Sequence, residues 1–172
     1  MKNNFVFYSV LFLTLILSQI LVFNQLEIGL GIHIMIYPMF VLALPFDMRP
    51  ATVMILGFLT GITIDWYTNS FGLHASSAVF LAYLRPKLFS FLEPREGYDT
   101  LKRPLLRDMG RNWFFTIYAI GLLLHHLWFF TFEIFKFSEI FFILQKALLS
   151  TFASLLMITM IQIIFFNKQK EL

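Results

Sequence analysis

From Phe5 to Phe23 the chain carries no charged residue, and this run is the first of several like it. A chain of 172 residues that is 59% hydrophobic, with 23 Phe, has more apolar surface than a soluble fold of this size can hide. Only 13% of its residues are charged, against about 25% in soluble domains. The pattern predicts an all-α polytopic membrane protein with a single integral membrane domain over 1–172.

Six segments are candidate spans: Phe5–Phe23, Gly31–Phe46, Pro50–Tyr67, Gly72–Leu92, Asn112–Phe132 and Ile140–Phe166. A helical span takes about 17–25 residues. The second segment, with Pro38 inside it, and the third sit at or below that limit, so a tilted, broken or buried crossing is expected there. The first run is longer than a signal-peptide core of about 7–15 residues and has no small-x-small site after it. It reads as a retained helix. The polar stretch Glu93–Arg111 is the longest connection.

Charge sets the expected orientation. With the N-terminus inside, Lys2, Arg49, Arg85, Lys87, Arg95, Lys102, Arg103, Arg107, Arg111, Lys168 and Lys170 are cytoplasmic, and Lys136 and Lys146 lie outside. That is a strong positive-inside bias with both ends in the cytoplasm. Trp113 then falls at the inner interface, and Trp66 and Trp128 near the outer one. The net charge of +3 argues topology rather than nucleic-acid binding. The absence of Cys excludes disulfides, thiolate metal sites, iron–sulfur clusters and cysteine nucleophiles.

Within the third segment, Gly57, Gly61 and Asp65 recur every fourth residue and so share one helix face. Glycines admit a second backbone closely, while an acid there needs a partner or a task. After a short turn, Gly72-Leu73-His74-Ala75 opens the next helix, with Ser70 as a cap and a small-residue stripe at Ala75, Ala78 and Ala82. Two readings stand together. Asp65 locks the hairpin, with the amides of the next helix as partners, or it handles protons or binds a partner, with His74 paired to it. His125 and His126, neighbours in the fifth segment, point about 100° apart. They do not converge on one ion, and one is expected inside and the other at the interface. No H-E-x-x-H, nucleophile elbow or facing aspartate pair is present, so neither catalytic residues, nor a metal site, nor a cofactor is expected.

Between Arg85 and Arg111, Leu101, Leu105, Leu106 and Met109 recur at near-helical spacing among basic residues. This predicts a short amphipathic surface helix after Pro104 or around it. Arg85, Lys102, Arg103, Arg107 and Arg111 are candidates for contact with anionic lipid or with a cytoplasmic protein; the pattern does not separate the two.

The hairpin resembles the bacterial rod shape-determining protein MreD family. The matching residues are Gly61-Ile-Thr-Ile-Asp65, the Gly72-Leu-His-Ala75 turn, and Tyr83-Leu-Arg85-Pro86, within about Pro45–Pro86. The resemblance implies a non-catalytic scaffold of the cell-wall elongation complex in the bacterial cytoplasmic membrane. Its implied partners are MreC through a membrane helix, RodA, the elongation transpeptidase and MreB, with membrane lipids around it. It also implies a fold similar to the substrate-binding subunits of energy-coupling-factor vitamin transporters, and with it a pocket near Asp65 and His74. A transporter subunit is thus the alternative function. Such subunits often dock their transport partner through two alanines four apart, and Ser9–Phe23 has none. An intramembrane enzyme using Asp65, His74, His125 and His126 ranks last.

Overall fold

The computed structural model describes residues 2–26, 29 and 31–166, with residues 2–4 and Phe137 as backbone alone. Lys168 and Lys170, counted toward the expected cytoplasmic C-terminus, lie outside the described residues, as does the Lys2 side chain. The described residues form α1 (Lys2–Leu21), α2 (Pro38–Ala43), α3 (Pro50–Thr68), α4 (Leu73–Ser90), α5 (Leu106–Met109), α6 (Arg111–Ile134) and α7 (Ile140–Phe166). The protein is all-helical, and four helical stretches are long and apolar enough to cross a membrane: Phe5–Gln25, Pro50–Thr68, Arg111–Ile134 and Ile140–Phe166.

The second segment is not one helix over 31–46 but a broken and buried one, the form that its short length and Pro38 predict. Residues 32–37 are not helical, and only Pro38–Ala43 coils. Proline lacks an N–H and its ring crowds the carbonyl four residues back, so a helix can start at Pro38 but not run through it. Leu44 is extended, with ψ 154°, ahead of Pro45, as a residue before proline prefers.

Non-helical backbone inside an apolar bundle must find other partners for its polar groups. Two neighbouring helices supply them here. The His33 N–H donates to Ser150 Oγ at 3.0 Å and the Met35 N–H to Ser154 Oγ at 2.8 Å. From the opposite side Gln19 works as a backbone mimic: its Oε1 accepts from the Ile36 N–H at 2.7 Å and its Nε2 donates to the Ile34 carbonyl at 3.0 Å. Alternate residues of an extended stretch lie ~6.6 Å apart, and residues four apart on a helix rise ~6 Å. The serines therefore keep register with every second amide.

Around this thread α1, α3, α4, α6 and α7 neighbour one another in that order, and α3 and α4 make the most extensive contact. Phe7 of α1 and Phe166 of α7 meet edge-on at 5.9 Å and close the ring. Every residue of α2 is buried at its centre. The outward side of the long helices is apolar, with Phe141, Phe152 and Phe165 mostly exposed.

The short amphipathic helix expected near Pro104 is a single turn, α5, bracketed by Pro104 and by Gly110 at φ 81°. Leu105 is buried and Leu106 and Met109 half-buried, while Arg107 is exposed, and Leu101 lies outside the turn, also exposed. Tertiary contacts tie the rest of the segment down. Tyr98 stacks on Phe46 at 4.2 Å, donates to the Phe89 carbonyl at 2.7 Å and accepts from Trp113 Nε1 at 2.9 Å. Burial raises the Tyr98 phenol above its ordinary pKa, and the Trp113 bond opposes that shift. Trp113 is accordingly buried against these rings, whereas Trp66 is 88% exposed.

Candidate functional site

The α3–α4 hairpin is built on glycine. At Gly57 an added Cβ would come to 3.1 Å from the Ala78 carbonyl oxygen. At Gly61 it would overlap the backbone of His74 and Ala75 outright. Gly61 thus lets α4 begin directly against α3, and Ala75, Ala78 and Ala82 complete the seam with minimal side chains.

One turn further on, Asp65 closes the hairpin. Its Oδ1 accepts the His74 N–H at 3.0 Å and the Ser70 hydroxyl at 2.6 Å, and its Oδ2 accepts the Ala75 N–H at 2.8 Å. Asp65 is 4% exposed. Free amides of a helix's first turn carry partial positive charge, and a buried carboxylate needs such donors. Asp65 therefore caps α4 from the preceding helix. Ser70, expected as that cap, bonds Asp65 instead, and the N-cap position belongs to Gly72 at φ 90°. The turn between also holds Asn69 and Phe71 at positive φ. Phe71 there is strained by about 1–2 kcal/mol, which the Asp65 bonds offset.

The expected His74–Asp65 side-chain pair does not form. His74 Nδ1 lies 3.1 Å from the Tyr37 hydroxyl, which also meets His125 Nε2 at 2.7 Å and Ser77 Oγ at 3.4 Å. Tyr37, the residue before Pro38, thus links α2, α4 and α6 from a fully buried position. His125 Nδ1 is buried without a partner among the described residues.

His126 is buried as well, so both histidines face inward, where only one of the two was expected to. Its Nδ1 meets the Leu122 carbonyl at 2.7 Å, and its Nε2 lies 3.4 Å from Ser154 Oγ. A tautomer with the proton on Nδ1 satisfies both contacts: Ser154 takes the Met35 amide and donates its own hydrogen to Nε2. Among the described residues, no three His, Asp or Glu are grouped to hold a metal ion.

A cavity of about 460 Å³ opens at this end of the bundle, lined by His33, His74, Thr68, Ser70, Phe129 and Glu133 among others. Glu133 accepts from Lys146 Nζ at 2.8 Å, and that ammonium also lies 4.5 Å from the Phe130 ring centroid. Lys146, expected as an outer topology charge, is a mostly buried ion-pair partner.

The expected basic set at the other end does not form one surface. Lys102, Arg107 and Arg111 are exposed. Arg103 lies with its guanidinium 3.8 Å over the Phe7 ring. Arg85 is buried and donates to the Leu44 and Pro45 carbonyls. Leu44 and Pro45 follow α2 and have no helical amides beyond them, so a long cation from α4 fills that role.

Tyr37, Gln19, Ser150 and Ser154 were not singled out in the sequence. Ser150 and Ser154, four apart in a mostly apolar helix beside Lys146 and Thr151, are the signal that could have shown a polar seam. Tyr37 left none beyond its place before a proline. The chain matches no family model, no curated protein and no solved structure.

Proposed function

We propose that this chain is a membrane scaffold subunit of the bacterial cell-wall elongation complex, of the MreD kind, which binds MreC and other elongation-complex membrane proteins in the cytoplasmic membrane. The observation that carries the reading is a groove of about 500 Å³ along the outside of the α3–α4 hairpin. Met54, Phe58 and Ile62 form one wall, Val79, Phe80, Tyr83 and Trp128 the other, and Gly72, Ala75 and Ser76 supply small surfaces between them. From Met54 to Ile62 the groove runs ~12 Å along α3. Small residues between large apolar walls suit a single apolar helix, since membrane helices associate by close packing. The Asp65 lock and the Gly61 contact hold the two walls at a fixed distance. On this reading the hairpin presents a binding surface and carries out no chemistry.

The proposal includes a layout of six crossings with both ends in the cytoplasm. Residues 32–36 in extended form and the helical backbone of 37–43 together reach at most ~27 Å, a little under the ~30 Å hydrocarbon thickness. The 18 residues of α4 span ~27 Å. The distribution of basic residues supports the orientation.

The test is depletion in the rod-shaped host, with photo-crosslinkers at Phe58 and Tyr83. Cells are expected to round or swell, and the probes to capture a bitopic membrane partner. Unchanged shape and wall growth would sink the proposal.

The second reading, a vitamin-type transporter subunit, draws support from the cavity beside His33, His74 and Glu133. Its 460 Å³ lies within the ~300–1,000 Å³ of small-molecule sites. Thermal stabilisation of the purified protein by one member of a vitamin panel is the result that favours it over the scaffold.

A further inference from the structure

Arg85 is a buried cation whose charge no acid answers. It is 3% exposed. It donates to the Leu44 and Pro45 carbonyls and lies 4.3 Å from the Phe89 ring centroid. Among the described residues no carboxylate comes within ion-pairing distance of it, and its Nε has no hydrogen-bond partner. Neutral carbonyls and a ring face soften the loss of water but do not replace a counter-charge. A buried guanidinium left in this state fits a ligand that brings the anion with it.

The space for that ligand lies beside it. Arg85 lines a cavity of about 420 Å³ between the start of α3 and the last turns of α4. Arg49 stands at its edge, in the N-cap position of α3, where no side chain caps the helix. A helix N-terminus favours an anion, and here it adds to two guanidinium groups. Planar forked donors match the oxygens of phosphate. Val53, Ala82 and Phe89 make part of the wall apolar.

Two acids also face the cavity, Asp47 and Glu93, and both are exposed. Water and salt screen them far more than Arg85 is screened. Their presence disfavours a doubly charged phosphate and favours a singly charged diester. This end of the bundle also carries most of the chain's basic residues, where anionic headgroups concentrate.

We propose that this cavity binds the phosphodiester headgroup of an anionic phospholipid, with Arg85 and Arg49 on the phosphate and the glycerol against Val53 and Phe89. The site stands independently of the scaffold reading.

Thermal unfolding and native mass spectrometry of the full chain in non-ionic detergent provide the test. The probes are phosphatidylglycerol, diacylglycerol with the same acyl chains, and inorganic phosphate. Arg85→Gln also takes a donor from the Leu44 and Pro45 carbonyls, the first of them buried, so two exposed positions carry the test: Arg49→Gln and Ser90→Asp.

Phosphatidylglycerol is expected to raise the unfolding midpoint and to remain bound in the gas phase, with diacylglycerol inert. Each variant is expected to need about tenfold more phosphatidylglycerol for the same shift, from one charge lost or one like charge added nearby. An equal response to inorganic phosphate at equal concentration supports the oxyanion site and assigns its source to solution. Diacylglycerol matching phosphatidylglycerol, or both variants responding like the unaltered protein, would overturn the proposal. So would silence toward both phosphate probes, which leaves Arg85 to a partner's carboxylate.

Discussion

Substituting Gly61 by Ala adds one methyl group at the tightest point of the hairpin. That methyl would overlap the Ala75 Cα and N and the His74 carbonyl carbon, all backbone atoms that cannot swing aside. The two helices must therefore separate by about 1 Å or more, because carbon atoms pack at roughly 3.5–4.0 Å. The same shift draws Asp65 away from the His74 and Ala75 amides, now bonded at 3.0 and 2.8 Å.

Overpacking of this kind costs about 1–3 kcal/mol. Weakening two charge-assisted hydrogen bonds adds about 1.5–3 kcal/mol. The expected total is about 2.5–6 kcal/mol, or a midpoint lower by roughly 10 °C for a chain of this length. The assay is thermal unfolding of the purified protein in detergent, followed by loss of the monodisperse size-exclusion peak.

Gly57→Ala is the internal control. Its added methyl meets the Ala78 carbonyl oxygen at 3.1 Å, a contact relieved by a few tenths of an ångström, so about 1 kcal/mol is expected. Gly61→Ala melting with the unaltered protein, or above Gly57→Ala, would refute the close-approach argument.

Three further substitutions probe the polar seams. Asp65→Asn keeps the shape but sets an NH2 group against backbone N–H donors, and should destabilise by about 2–3 kcal/mol; a midpoint and partner assembly equal to the unaltered protein's would count against the capping role. Tyr37→Phe leaves His74 Nδ1 and His125 Nε2 without their shared hydroxyl, and a loss of about 1–3 kcal/mol is expected, read by chemical unfolding in mixed micelles; no change would mean the hydroxyl bonds contribute nothing net. Ser154→Ala strands the Met35 amide and one nitrogen of His126, so faster hydrogen exchange at Met35 is expected, with Ile36, held by Gln19, as the internal reference.

Much of the hairpin was legible because its signals are local. Four-residue spacing puts Gly57, Gly61 and Asp65 on one face whatever surrounds them, and a helix start nine residues after a buried acid supplies amides within reach. His74 was misread for a related reason. Nearness along the chain suggested Asp65, but the carboxylate was already held by two backbone amides and the Ser70 hydroxyl, and the imidazole turned to Tyr37, 37 residues away. Arg85 was misread because a basic residue near a helix end resembles a topology charge. Its burial depends on where α2 ends, which α4 cannot reveal.

The apolar runs, the scarcity of charge and the glycine–acid stripe determine that this chain is an all-helical membrane-type protein with one tightly closed hairpin. They do so because hydrophobic period and backbone sterics act within a few residues. Pro38 and the short length of the second segment allowed a broken or buried crossing, but only the tertiary structure decided which residues leave the helix and what partners their amides find. Those amides are satisfied by Gln19, Ser150 and Ser154, side chains that meet them across as many as 119 residues. No local pattern encodes such partners, because the requirement to satisfy buried polar groups can be met from any part of the chain that folding brings near.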